Sequence, residues 1–236
     1  MSAIKIEFKS KCDTATEVAV EEIYWYLACL YKNGQIFSDY QLIKGNGDYF
    51  AIVLSPEDDS LEKSNEYVNE IFESLQQWFN ITYQIVGECA DFAGLCSCSE
   101  LKDFVLHRRY GLEESPIKCA DCGKSVPLYT LPYIMDEQEY FTVLQWQKAY
   151  AATEKLWMIG MNDQMMAREL SCVSSELNLL GKNICKELET KTSKRFYYCI
   201  KQDGEKNDSV CASCRQEIRM TNAYYLCEKC GLAMEV

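Results

Sequence analysis

Four cysteines near the C-terminal end, Cys211-Ala-Ser-Cys214 and Cys227-Glu-Lys-Cys230, form two C-x-x-C pairs separated by twelve residues. No other feature narrows the possible folds as much. Zinc takes four ligands in a tetrahedron, each C-x-x-C turn supplies two, and a strand pair of this length brings the two turns together. Gly231, directly after Cys230, suits a tight turn beneath the metal. The spacing predicts a zinc ribbon over residues 207–236, which depends on its metal because so short a segment buries little core.

A second constellation lies upstream, where Cys96-Ser-Cys98 is followed by Cys119-Ala-Asp-Cys122-Gly123. Its two pairs predict a second four-cysteine zinc site, although C-x-C is a less usual half than C-x-x-C. His107 between the pairs and Cys89 before them are alternative ligands for that site. A redox role for Cys119 and Cys122 would need a thiol at a helix N-terminus. Lys124-Ser-Val-Pro127 follows instead, and proline breaks such a helix early.

The chain has 14 cysteines, yet Met1 to Lys9 carries charge every few residues and lacks the apolar stretch of a secretory signal. No run approaches eighteen apolar residues. These observations predict a soluble cytoplasmic protein that pairs its thiols with metal rather than with each other. At 236 residues and 48% hydrophobic composition there is material for a main body plus a small metal module.

The first ninety residues predict an α+β domain. Ile4-Lys-Ile-Glu-Phe8 alternates with period two, as a half-buried strand does. Ala19, Ile23, Tyr26, Leu27 and Leu30 follow helical offsets, and Asn33-Gly34 ends that helix. Tyr40 to Ile43 and Tyr49 to Leu54 flank Gly45-Asn-Gly47, a hairpin signal. Val68, Ile71, Phe72, Leu75 and Phe79 form a second apolar stripe opposite Glu62, Glu66, Glu70 and Glu73, and Ile81 to Val86 closes with a strand. The order β-α-β-β-α-β is the ferredoxin-like arrangement, here over residues 1–90. On an open sheet face, Tyr40, Tyr49, Phe50 and Tyr83 would be the aromatics available for stacking RNA bases.

Residues 91–135, with three of the four prolines, are expected as extended chain around the second zinc site. Residues 136–206 are expected as a helical hairpin and a linking strand. One helix runs from Glu137 to Ile159, with Gly160 ending it. The other opens at Asn162 or Asp163 and carries a seam of Met166, Leu170, Val173, Leu177, Leu180, Ile184 and Leu188. Gly181 within it should weaken the helix by about 1 kcal/mol relative to alanine. Cys172 and Cys185 read as core fillers, and Phe196 to Ile200 as a strand leading to the ribbon.

Charge points to a partner. Net charge is -12, and residues 1–98 hold 6 basic and 16 acidic side chains. Such a field repels phosphate and attracts basic proteins, so Glu62, Glu66, Glu70 and Glu73 are the expected contacts for a basic protein partner, in an immunity, antitoxin-like or adaptor role. The alternative ligand is nucleic acid, bound through Lys191, Lys194 and Arg195 and the ribbon they precede. The chain contains a single histidine, no phosphate loop and no nucleophile elbow, and both cysteine sets look closed, so no catalytic residues and no enzymatic activity are expected.

The chain resembles an uncharacterised prokaryotic family described as zinc-ribbon-containing and possibly nucleic-acid-binding. The residues that carry the resemblance are Cys96-Ser-Cys98, Glu114 to Cys122 continuing through Val126-Pro-Leu-Tyr-Thr-Leu-Pro132, and the two terminal C-x-x-C pairs. It implies a bacterial cytoplasmic protein with no assigned role.

Overall fold

The computed structural model describes residues 1–11, 17–37, 40–45, 47–90, 92, 94–201, 210–211 and 213–236. They form two compact units. One comprises Met1–Ala93, Glu113–Ser115 and Pro127–Tyr129, the other Gly94–Leu112, Pro116–Val126 and Thr130–Val236.

The first unit runs β1 (Ser2–Ser10), α1 (Glu17–Lys32), β2 (Gln41–Lys44), β3 (Tyr49–Ser55), α2 (Glu66–Leu75) and β4 (Phe79–Glu88). Its antiparallel sheet has the order β2-β3-β1-β4, which is the mixed α+β layout expected for this stretch. Alternation puts Ile4, Ile6 and Phe8 in the core beside Ala51 and Val53, where Ala19, Ile23, Tyr26, Leu27 and Leu30 of α1 pack on them. The helix stops at Gly34, whose φ of 72° lets Gln35 N–H reach Leu30 O at 2.9 Å. Lys44 pairs with Tyr49 across the expected hairpin, while Asn46 at its turn lies outside the described residues.

Three expectations for this unit change. Asn65 caps α2, its side chain accepting from Val68 N–H at 2.9 Å, so the helix begins after Glu62, which sits in a separate 3-10 turn. Phe79 opens β4 instead of extending the helical stripe. Of the four aromatics considered for an open sheet face, only Phe50 is there, with Lys5 Nζ 4.7 Å above its ring. Tyr49 is buried opposite Phe8, Tyr83 faces the helices with its hydroxyl 2.7 Å from that of Tyr26, and Tyr40 packs against the core.

The second unit contains β5 (Asp103–Leu106), β6 (Ile117–Cys119), α3 (Phe141–Met158), α4 (Asp163–Ser171), α5 (Glu176–Thr192), β7 (Arg195–Cys199), β8 (Arg219–Met220), β9 (Tyr224–Cys227) and β10 (Leu232–Glu235). All six strands belong to one sheet of order β6-β5-β7-β10-β9-β8, in which β7 runs parallel to both neighbours. The sheet curls. Arg219 of β8 bridges Asp103 of β5 at 2.6 Å, and Thr221 Oγ1 donates to Ala120 O at 2.7 Å. Val105, Tyr197, Tyr224, Leu226 and Ala233 fill the concave side. The residue 206–207 boundary expected for the ribbon lies outside the described residues.

The second expected helix is two helices. Asn178 explains the break: its side chain donates to Cys172 O at 2.8 Å and accepts from Tyr198 Oη at 2.6 Å, while Ser175 Oγ accepts from Asn178 N–H as a new cap. The heptad seam therefore does not run through one helix. Glycine at 181 has a packing reason, since a Cβ there would lie 2.1 Å from the Tyr198 ring. Gly160 ends α3 as expected, with φ 71° and Met161 N–H on Leu156 O. Cys185 is buried as a core filler, whereas Cys172 is part-exposed beside Ser174. Among the described residues no helix is long and apolar enough to cross a membrane.

Candidate functional site

Two clusters of four thiols stand in the second unit, Cys96, Cys98, Cys119 and Cys122 in one and Cys211, Cys214, Cys227 and Cys230 in the other. In each, all Sγ atoms lie within 4.8 Å of one another. Both clusters are built alike. Cys119 ends β6 and Cys227 ends β9, and each is followed three residues on by the second cysteine of its pair. The turn closes through Gly123 N–H on Cys119 O and Gly231 N–H on Cys227 O, both at 2.9 Å. Gly123 and Gly231 have φ of 69° and 64°, and Arg215 takes the same left-handed conformation after Cys214 at 60°.

The donor sets suit a tetrahedral ion. Four sulfurs at Zn–S of about 2.3 Å stand about 3.8 Å apart. The distances are 3.9 Å for Cys119 to Cys98, 3.6 Å for Cys122 to Cys96 and 3.6 Å for Cys214 to Cys227. The Gln216 N–H draws the Cys214 thiol down to about 7, whereas burial pushes Cys227 up to about 12. At Cys122 burial opposes ionisation, but the Lys124 N–H and the neighbouring thiols outweigh it and lower the pKa. A cation entering either cluster would release the remaining protons. These two groups can hold metal ions, as the spacing expected.

His107 and Cys89 are not in either group. His107 is 6% exposed, with Nδ1 3.0 Å from Tyr224 Oη and Nε2 3.7 Å from Glu235 Oε1. Burial, with Lys118 and Arg109 nearby, pulls its pKa down to about 3.

The expected partner surfaces also have definite places. Glu66, Glu70 and Glu73 share the exposed face of α2, with Glu62 exposed just before it. None of the four makes an ion pair among the described residues. The basic trio is less free: Arg195 binds Glu189 at 2.8 Å and Glu228 O at 2.6 Å, and Lys194 Nζ donates to Leu101 O at 2.9 Å. Lys191 is exposed at the last turn of α5, where it complements the helix dipole.

A cavity of about 550 Å³ in the second unit escaped the sequence reading. Its charged lining is Arg108, Arg109, Glu154, Lys201 and Glu235, with His107 at the wall. Arg108 and Glu154 meet at 2.5 Å with side chains only 10% and 7% exposed. One signal was present, because Glu154 continues the Trp146, Tyr150 stripe at intervals of four, a carboxylate on a buried face.

Residues 98–200 match the family described as a domain of unknown function (DUF2310), and residues 1–86 match a second domain of unknown function (DUF8589). Both agree with an uncharacterised family, and neither description mentions nucleic acid. No curated protein matches the chain. Among solved structures, the cofactor-independent oxygenase SnoaB from Streptomyces nogalater is 9% identical with a TM-score of 0.32, covering 39% of this chain and 99% of that one. An antibiotic biosynthesis monooxygenase is 13% identical with a TM-score of 0.29, covering 38% and 99%. The expectation that this chain is no enzyme is corrected by these neighbours, since both are oxygenases. At such scores the likeness transfers no activity, substrate or residue role.

Proposed function

We propose that the chain is a zinc-binding recognition protein of the cytoplasm, with zinc at both four-cysteine centres and an acidic face on the first unit that docks a basic protein partner. The observation that carries this reading is the exposed row Glu66, Glu70 and Glu73 on α2, free of ion pairs among the described residues and beside Tyr67, which is 42% exposed. Three carboxylates spaced by four and three residues stand on one helical face and add their fields. An aromatic beside them is the residue type that anchors an interface. Four-sulfur tetrahedra take zinc or iron, and the closed sets with knuckle turns favour zinc as a structural ion.

An affinity capture from the native cell, run with and without nuclease, tests the partner. A nuclease-resistant basic protein lost on Glu66→Lys and Glu70→Lys supports the proposal. Capture that vanishes with nuclease and survives the glutamate reversals would replace it with the nucleic-acid reading. Charged rims act chiefly on association rate, so the reversals should slow binding at low salt far more than at high salt.

A further inference from the structure

The cavity beside His107 lies in the second unit, and none of its lining residues belongs to either four-cysteine group. Arg108, Arg109 and Lys201 line it together with the carboxylates of Glu154 and Glu235 and with Val236. Glu154 is already engaged: Oε2 takes Arg108 at 2.5 Å and Oε1 faces Lys201 at 3.5 Å. Glu235 is 53% exposed and stays 3.6 Å from Arg109 Nε and 3.7 Å from His107 Nε2, beyond hydrogen-bond length for both. A guanidinium has five N–H donors. Arg108 commits one nitrogen, and the Arg109 guanidinium makes no hydrogen bond among the described residues. His107 Nε2, on a ring almost wholly buried, likewise has no hydrogen-bond partner there. The nearby Glu235 carboxylate favours the tautomer with the proton on Nε2, so a further donor faces the cavity. Tyr150 and Ile200 add apolar wall.

We infer that this cavity binds a small organic oxyanion, a carboxylate or a phosphate monoester with a compact apolar body. Arg109 and His107 Nε2 would hold the anionic head, displacing Glu235 toward solvent, while Lys201 and Arg108 supply the field. The volume suits such a ligand, because small-molecule sites run from about 300 to 1,000 Å³. Surplus donors around this partly open space favour an acceptor ligand over a cationic one.

The single histidine makes the test specific, since its imidazole resonances report this cavity alone. The zinc-loaded full chain, labelled with nitrogen-15, is titrated with benzoate, phenyl phosphate and, as a cationic control, benzylammonium. A saturable shift of the His107 signals with either anion is expected, and the tighter of the two tells carboxylate from phosphate. Arg109→Gln should weaken that binding about tenfold, the effect of one charged hydrogen bond. Glu235→Gln, at an exposed position, should tighten it. No saturable shift with either anion up to about 10 mM, which is weaker than any useful site, would overturn the inference. So would preferential binding of benzylammonium, or weaker anion binding in Glu235→Gln.

Discussion

A Cβ on Gly181 would stand 2.1 Å from Cε2 of Tyr198, well inside any real contact, and 2.8 Å from Trp146 Nε1. The glycine in the middle of α5 is therefore where strand β7 and helix α3 press against the helix. Glycine weakens the helix by about 1 kcal/mol relative to alanine, while forcing an extra methyl into a packed site costs roughly 1–3 kcal/mol or more. Packing should win. Gly181→Ala is expected to lower stability by about 2 kcal/mol, read as a lower urea midpoint. A raised midpoint would mean that propensity dominates.

Metal content should be close to two zinc equivalents in protein purified without added metal, with colourless solutions setting zinc apart from iron. Cys119→Ser and Cys227→Ser should each lose one equivalent. Each site contributes on the order of 10 kcal/mol to its module, and both belong to one sheet, so the loss should spread through residues 94–236. Proteolysis of Cys227→Ser would show this as rapid cleavage beyond residue 94 with the first unit intact. Cleavage confined to residues 207–236 would place the ribbon outside that cooperative sheet.

Glu154→Gln leaves the buried Arg108 guanidinium without its counter-charge, since their side chains are only 10% and 7% exposed. Breaking such a pair costs roughly 3–5 kcal/mol. Pairing Glu154→Leu with Arg108→Met should recover a good part of that loss in a double-mutant cycle. Purely additive effects would show that the two charges are not coupled.

His107 should lower stability as the solution is acidified. Its ordinary pKa of 6.5 falls to about 3 in the fold because burial disfavours the imidazolium. Between those values the unfolded chain binds a proton that the folded chain does not. Stability thus decreases as pH drops through 6.5 toward 3, by up to about 1.4 kcal/mol per unit, and is unaffected by this group at neutral pH and above. His107→Phe should flatten the profile from pH 6.5 to 5. A native imidazole signal that titrates near 6.5 would refute the burial argument.

Much of this was readable from spacing. Three C-x-x-C pairs and one C-x-C pair mark both four-sulfur groups because ligand geometry is local, and the stripe from Ala19 to Leu30 names the buried face of α1. What escaped depends on distant partners. The break between α4 and α5 needs Asn178 to bond Cys172 and Tyr198 at once, and a heptad pattern does not register a side chain that takes backbone carbonyls. The cavity draws on residues 107–109, 154, 201 and 235, which no window of sequence contains, and Glu154 resembles a solvated helix charge until Arg108 is seen against it. Helical spacing alone extends back past the cap that Asn65 provides, so Glu62 reads as part of the α2 face although it lies in the 3-10 turn before it.

Strand β10 lies between β7 and β9, and β7 lies between β5 and β10. For a nascent chain leaving the ribosome, residues 1–88 can close their own sheet early, but β7 keeps one edge bare until residues 232–235 emerge. Through that interval an open strand edge rich in aromatic residues is exposed to other chains, a common starting point for aggregation. Synthesis that stalls between residues 200 and 231 should therefore yield a product that needs a chaperone, whereas a stall just past residue 88 should release a folded first sheet.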